Sequence, residues 1–311
     1  MLDLTCISLS GQQISPIPQE TVICLGNFDG VHTAHRALLS RASELQKEVC
    51  PTAARCVFCF FEPSWTAFSG DVPLLLSTLK EKLVAFYECG IEYAILCDFA
   101  MVKDFSPEQF VKDVLLEGCH CKAAVCGFNY RFGKKGIGTA KTLAALLAKP
   151  VYVEQEFLMN GDVVSSTRIR ELLKQGNVRE AATLLGTPYS ITSIVIHGKA
   201  LGKKLGFPTA NQEIPQNKLV PQNGVYLTRC IIDDRQYYGM TNVGVHPTVD
   251  KDAQRNCETY LLDATVDAYG KELTVSFLEF LRPEQKFESV EALCAQLNAD
   301  VSRARELIKT L

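Results

Sequence analysis

The 311-residue sequence lacks long apolar stretches: its uninterrupted hydrophobic runs stop at six residues, as in Cys56 to Phe61, well short of the roughly 18 needed to cross a bilayer. No transmembrane helix is expected. An excess of positive charge is also missing, because 32 Lys and Arg face 35 Asp and Glu for a net charge of -3. That balance argues against a protein whose main task is neutralising nucleic-acid phosphates. The start MLDLTCISLSGQQ carries an acid and no basic segment ahead of its few apolar residues, so it does not read as a secretory signal and a cytoplasmic location is expected. Cys56 and Cys59 form a Cys-x-x-Cys with no second such pair and no neighbouring His cluster, and Cys119-His120-Cys121 is too tight for three ligands on one ion; zinc is not expected. No Gly-Lys is followed by Ser or Thr, which excludes a Walker A loop.

What is present is a composition of 47% hydrophobic and 22% charged residues, too apolar for disorder and long enough for about two domains. Thirteen cysteines sit mostly inside apolar stretches such as CVFCFF, ILCDF and AVCGF, where reduced thiols pack as small hydrophobes. From Thr21 to about Lys149, short β-rich runs (TVICLG, AARCVFCFF, YAILCDF, AAVCGF, VYVEQEF) alternate with helical periodicity (HRALLSRASELQKE, TLKEKLVAFYECG, SPEQFVKDVLLEG). This alternation predicts βαβ units and a doubly wound parallel sheet. SSTRIRELLKQG and VREAATLLG read as two short helices. From Pro188 onward, YSITSIVIHG, GVYLTRCIID, QYYGMTNVG, ETYLLDATVD and ELTVSFLEFL are rich in β-branched and aromatic residues and separated by turns, which suggests a small antiparallel barrel. One or two amphipathic helices between Glu288 and Leu311 close it. The expected domains are 1–185 and 186–311.

In the first half, TVICLG runs into NFDGVHTAH and then a helix, gathering Asn27, Asp29, Gly30, His32 and His35 where a parallel strand ends. Ligands bind there in open α/β sheets. His32 and His35 are three apart, so both imidazoles share one side of the first turn and suit a phosphate; alone, such a pair is more often a solvated surface feature, and the flanking GNFDG reverses that reading. GFNYRFGKKGIG combines four glycines with Asn129, Arg131, Lys134 and Lys135, the composition of a flexible basic loop over an anion. In VSSTRIRELLKQG, Arg168 and Arg170 fall in the first helical turn, where the macrodipole disfavours cations and an anion is expected to compensate them. Ser165, Ser166 and Thr167 can cap that helix or add hydroxyls to an anion site.

GNFDGVHTAH resembles the HxGH-type motif of the nucleotidyltransferase superfamily, and GFNYRFGKKGIG with SSTRIR resembles its bacterial FAD synthetase branch. The resemblance implies a Rossmann-like domain in which Gly26, Asn27, Phe28, Asp29, His32, His35, Ser166, Thr167 and Arg170 hold ATP. Asn129 and Arg131 then hold FMN, which attacks the α-phosphorus while pyrophosphate leaves. Ala34 replaces the usual Gly of HxGH, and Ser64-Trp65 replaces the usual His-Pro after FEP.

In the second half, Thr209 and Asn211 share one face of an extended segment after HGKALGKKLGFP, offering hard oxygen ligands of the kind that suit Mg²⁺ on phosphates. A polar turn after the Gly-Phe-Pro bend is the plain alternative. Glu258, whose alternate neighbours are Tyr260 and Leu262, is a natural base beside a metal-ATP site. The ordered set GKKLGFPTAN, GVY, TNVGVHPT, ETYLLD and LRPEQKF resembles the riboflavin kinase domain, a six-stranded barrel. That resemblance implies an ATP and riboflavin site made of Gly198, Lys203, Gly206, Phe207, Pro208, Thr209, Asn211, Tyr226 and Asn242, with Mg²⁺ on Thr209 and Asn211. Glu258 deprotonates the terminal ribityl hydroxyl, and Lys203 stands where many members have Arg.

The expectation is an enzyme of flavin-cofactor synthesis, α/β plus β, that turns riboflavin into FMN and FMN into FAD with ATP and Mg²⁺. Its expected partners are small molecules alone, with no nucleic acid and no membrane. Two alternatives are a riboflavin kinase with an impaired adenylyltransferase half and a non-catalytic flavin-binding regulator.

Overall fold

Every residue of the strand Thr21–Leu25 is buried, the signature of a strand covered on both faces of a parallel sheet. In the computed structural model, which describes residues 4–9, 19–61, 74–197, 202, 205–215, 217–245 and 255–311, this strand lies in the middle of a six-stranded parallel sheet. Its strands are β1 (Thr5–Leu9), β2 (Thr21–Leu25), β3 (Ala54–Phe60), β4 (Tyr93–Cys97), β5 (Cys121–Gly127) and, after the short antiparallel pair β6 (Arg131–Phe132) and β7 (Gly138–Thr139), β8 (Val151–Glu154). The order is β1-β4-β3-β2-β5-β8. Chain direction across the sheet therefore reverses between β2 and β5, and the loops that follow these two strands flank the switch point where open α/β sheets bind ligands.

Helix α1 (Thr33–Val49) turns Leu38, Leu39, Ala42 and Leu45 inward at helical spacing, and α2 (Leu79–Glu88) starts at a capping box between Thr78 and Glu81. The strand expected over YAILCDF stops at Cys97, because the Asp98 carboxylate accepts from the Ala100 amide and caps α3 (Phe99–Val102). SPEQFVKDVLLEG is helical as expected, but only α4 (Pro107–Gln109) is α-helical. Phe110–Gly118 is a π-helix, closed by the Cys119 amide on the Val114 carbonyl five residues back. Strand β1 and helix α5 (Ala140–Leu147) are additions to the sequence reading. A small hairpin, β9 (Leu158–Met159) with β10 (Asp162–Val163), precedes α6 (Ser166–Lys174) and α7 (Val178–Leu185).

Backbone contacts divide the chain into Met1–Ser166 and Thr167–Leu311. The second unit is a closed antiparallel barrel of β11 (Ser190–Ile196), β12 (Thr209–Gln212), β13 (Gly224–Ile232), β14 (Arg235–Val245), β15 (Arg255–Leu261) and β16 (Glu272–Arg282), in the order β11-β12-β15-β14-β13-β16. Gly224 opens β13 with φ +151°, and a Cβ there would fall 2.5 Å from the Arg282 carbonyl oxygen, so the turn into GVY requires glycine. Three wholly buried threonines tie neighbouring strands together: Thr241 Oγ1 lies 2.9 Å from Thr228 Oγ1 and 2.8 Å from Thr259 Oγ1. A single terminal helix, α8 (Val290–Ile308), packs Val301, Ala304, Leu307 and Ile308 on Val225, Leu227, Met240 and Leu281. The buried Asp300 carboxylate clamps it by accepting from Arg282 Nε and Nη2 of β16.

Candidate active sites

The turn from β2 into α1 is strained and held from outside itself. Phe28 and Val31 adopt φ +50° and +38°, values that a bulky or β-branched residue reaches only when its surroundings enforce them. The enforcing segment is Leu76–Lys82. The Leu76 and Ser77 amides donate to the Asp29 carboxylate at 3.0 and 3.2 Å, the Gly30 amide donates to Ser77 Oγ at 2.9 Å, and Lys82 Nζ donates to the Asn27 carbonyl at 3.0 Å. Phe28 is fully buried, edge-on to Phe86 and tilted against His35.

His32 is the cap of α1 rather than its first residue: its Nδ1 accepts from the His35 amide at 3.3 Å. Accepting there places the proton of the neutral ring on Nε2. The two imidazoles stack with centroids 3.6 Å apart and planes 15° from parallel. Burial pushes the His32 pKa down to about 4. His35 is held well below the ordinary value by burial first, then by the charges of His32 and Lys82. Both rings are thus neutral at pH 7, and His35 Nδ1 is buried with no hydrogen-bond partner among the described residues, a group that calls for an explanation in a native fold. Ala34 is half-buried in the same first turn.

The Asp29 carboxylate binds backbone amides of the 76–77 segment, and Phe28 is packing behind the histidines. Both shape the turn from within.

Ser166 Oγ donates to the Asp29 carbonyl at 2.9 Å, so the SSTRIR segment is joined to the turn at its first helical residue. Within the second unit, Arg168 pairs with Glu171 and Glu180 at 3.9 and 3.3 Å. The protein's own carboxylates therefore supply negative charge of the kind this arginine was expected to meet. Thr167 is exposed and Arg170 is buried on α6. GFNYRFGKKGIG, expected as a flexible loop, is an ordered β6–β7 hairpin. Phe132 packs on Phe110 and Tyr130, and Lys134 pairs with Asp104 at 2.9 Å. Asn129 and Arg131 remain exposed beside it.

In the barrel, strand register builds the second site. Glu258 on β15 lies opposite Asn211 on β12 and opposite Asn242 on β14, so three polar side chains form one row across three adjacent strands. Thr209 precedes Asn211 by two residues and shares its face, opposite Tyr260. Asn256, also on that face, donates from Nδ2 to Glu258 Oε1 at 2.9 Å; the sequence reading did not single it out. Phe207 meets Tyr260 edge-on at 5.3 Å, after a turn in which Gly206 has φ +84° and which Pro208 leaves exposed. The Tyr226 ring is fully buried against Phe277 and Phe280, and its hydroxyl donates to the Gln222 carbonyl. It is barrel core behind the row. Gly198, Lys203 and Ser64-Trp65 lie outside the described residues.

Comparison with known proteins follows the same division. A family model described as FAD synthetase matches residues 14–168, and one described as riboflavin kinase matches residues 185–308. A bifunctional riboflavin kinase/FMN adenylyltransferase of Listeria monocytogenes is 31% identical over 296 residues, covering 93% of each chain. One of Pseudomonas fluorescens is 35% identical over 300 residues, covering 94% of this chain and 95% of that protein. A crystal structure from Streptococcus pneumoniae, solved as a macrolide-efflux protein, is similar with a TM-score of 0.89 at 30% identity, covering 96% of this chain and 98% of that one. Among the described residues of this chain no helix is long and apolar enough to cross a membrane.

Proposed function

The chain belongs to the bifunctional riboflavin kinase/FMN adenylyltransferase family, and from that premise we propose which residues carry each of its two reactions. It makes FMN from riboflavin and FAD from FMN, each with ATP. The two alternatives, a silent first half and a non-catalytic regulator, are not favoured, because the similarity to bifunctional enzymes runs through both halves.

Adenylylation is assigned to residues 1–185 and phosphorylation to 186–311. In the first, a phosphate oxygen of FMN attacks the α-phosphorus of ATP and pyrophosphate departs with the electrons of the broken bond. His32 and His35, uncharged and stacked, contribute hydrogen bonds to phosphate oxygens, with Gly26 and Asn27 lining the turn and Ser166, Thr167 and Arg170 completing the ATP contacts. Asn129 and Arg131 receive FMN. The observation that supports this reading is the strained switch-point turn, with a buried His35 nitrogen that no described residue meets by a hydrogen bond.

In the second reaction, Glu258 accepts the proton of the terminal ribityl hydroxyl while that oxygen attacks the γ-phosphorus, and ADP leaves. The supporting observation is the cross-strand row Asn211–Glu258–Asn242. Thr209 and Asn211 present hard neutral oxygens on one face next to a carboxylate, a donor set that fits Mg²⁺ carried on ATP phosphates. They would hold the ion, which neutralises phosphate charge when bound. Gly198, Lys203, Gly206, Phe207 and Pro208 are assigned to the same ATP and riboflavin site. The test is a pair of substitutions assayed with both substrates. Glu258→Gln is expected to stop FMN formation and spare FAD formation from supplied FMN, and His32→Ala to do the reverse; loss of both activities from either change overturns the assignment.

A further inference from the structure

Lys82 sits on the inward face of α2, one turn before the fully buried Phe86, in a position where helical spacing calls for an apolar residue. It is 4% exposed and is the only buried lysine or arginine among the described residues of the first unit. Its one hydrogen bond there is to the Asn27 carbonyl. An ammonium has three donors, so two are unspent, and no described carboxylate pairs with it. A buried cation with no direct ion-pair partner among the described residues is costly for a fold to carry.

The cost is not explained by anchoring the turn. The Asp29 carboxylate and Ser77 already tie the turn to the Leu76–Lys82 segment through four hydrogen bonds from Leu76 N, Ser77 N, Gly30 N and Ser77 Oγ. A neutral donor at position 82 would serve the Asn27 carbonyl equally well. Nor do the stacked histidines bring positive charge, since burial keeps both neutral. The turn thus combines the buried Asp29 carboxylate, held by backbone amides, with one buried cation and two neutral imidazoles at the end of β2.

We propose that Lys82 is a phosphate-binding residue of the adenylyltransferase site, its ammonium meeting the oxygens of ATP that leave as pyrophosphate. This rests on the reading that the β2–α1 turn is that site. As the bond from the α-phosphorus to the bridging oxygen breaks, its electron pair stays with the pyrophosphate, and Lys82 stabilises the gathered charge without giving up a proton.

The test measures FAD formation from supplied FMN at varied ATP, together with product inhibition by pyrophosphate, in full-length Lys82→Met, Lys82→Gln and Lys82→Arg. Loss of a charge-assisted contact should lower kcat/KM for ATP at least about tenfold in the Met and Gln variants and raise the pyrophosphate inhibition constant in step. Lys82→Arg should retain most of both, and FMN formation from riboflavin should be unchanged in all three. Wild-type kinetics in Lys82→Gln, or a defect confined to FMN with normal pyrophosphate inhibition, overturns the proposal and leaves Lys82 a support of the Asn27 carbonyl. Should the variants fail to fold, carbamylation of Lys82 in the wild-type protein, read by mass spectrometry, is expected to slow when pyrophosphate is added; no protection counts equally against the idea. His32→Ala run in parallel separates the two failures, because FAD formation that survives it removes the site itself rather than the role of Lys82.

Discussion

His32 contributes to stability in a way that depends on pH. Its folded pKa lies near 4, against about 6.5 for an unconstrained imidazole, so between these values the unfolded chain binds the proton that the folded one refuses. The stability due to the neutral, buried ring is complete above about pH 6.5 and is lost as pH falls towards 4. Melting temperatures measured across this range should fall on acidification, and His32→Asn, which keeps a capping side chain, should flatten the dependence; an unchanged slope contradicts the buried neutral pair. At this scale the shared faces of the two histidines and of Thr209 and Asn211 were legible from their spacing, whereas the position of Glu258 opposite Asn211 follows only from strand register. Lys82 was not legible: in LKEKLV it reads as one more solvated helix charge, and only the turn 55 residues upstream makes it buried. The converse holds for Asp29, Phe28 and Tyr226, whose side chains make contacts within the protein that the motifs do not show. A motif marks residues that matter to a turn or strand without saying which of their atoms are spent inside the protein.

Helix α8 depends on one ionic clamp. Arg282 and Asp300 are a largely buried, bidentate pair, and removing one partner strands the other. Asp300→Ala should therefore cost about 3–5 kcal/mol and bring thermal loss of FMN formation to a lower temperature; an unaltered inactivation curve would show the pair to be dispensable. The helix itself was legible from Val301, Ala304, Leu307 and Ile308, and the barrel strands from their β-branched and aromatic runs. The π-helix at Phe110–Gly118 was not, since a five-residue hydrogen-bond register leaves the same apolar face as an α-helix over two turns. Strand β1 escaped notice because TCISL has too few residues to show a period, and α5 because its alanine-rich run lies in the shadow of the glycine hairpin.

Across the whole molecule all thirteen cysteines are unbridged, and burial pushes thiols such as Cys97, Cys121, Cys230 and Cys257 up to about 12. Thiolate is the reactive form. A thiol reagent at neutral pH should reach the exposed Cys6 and the partly buried Cys50, Cys89 and Cys294 first, and the remaining nine only on unfolding; rapid modification of all thirteen in the native protein would contradict the packing described here. The expected boundary at 185/186 followed from the strand-and-turn sequence that begins at Pro188, whereas backbone contacts divide the chain after Ser166. The placement of the first site at the reversal between β2 and β5 was not legible, because strand order is decided by crossovers that local sequence does not encode. The most direct test of the account is a time course with riboflavin as the only flavin, ATP and Mg²⁺, separating riboflavin, FMN and FAD by chromatography. FMN should rise and then give way to FAD. FMN that accumulates without conversion would contradict the adenylyltransferase site built on His32 and His35, and riboflavin left unchanged would contradict the kinase site built on Glu258.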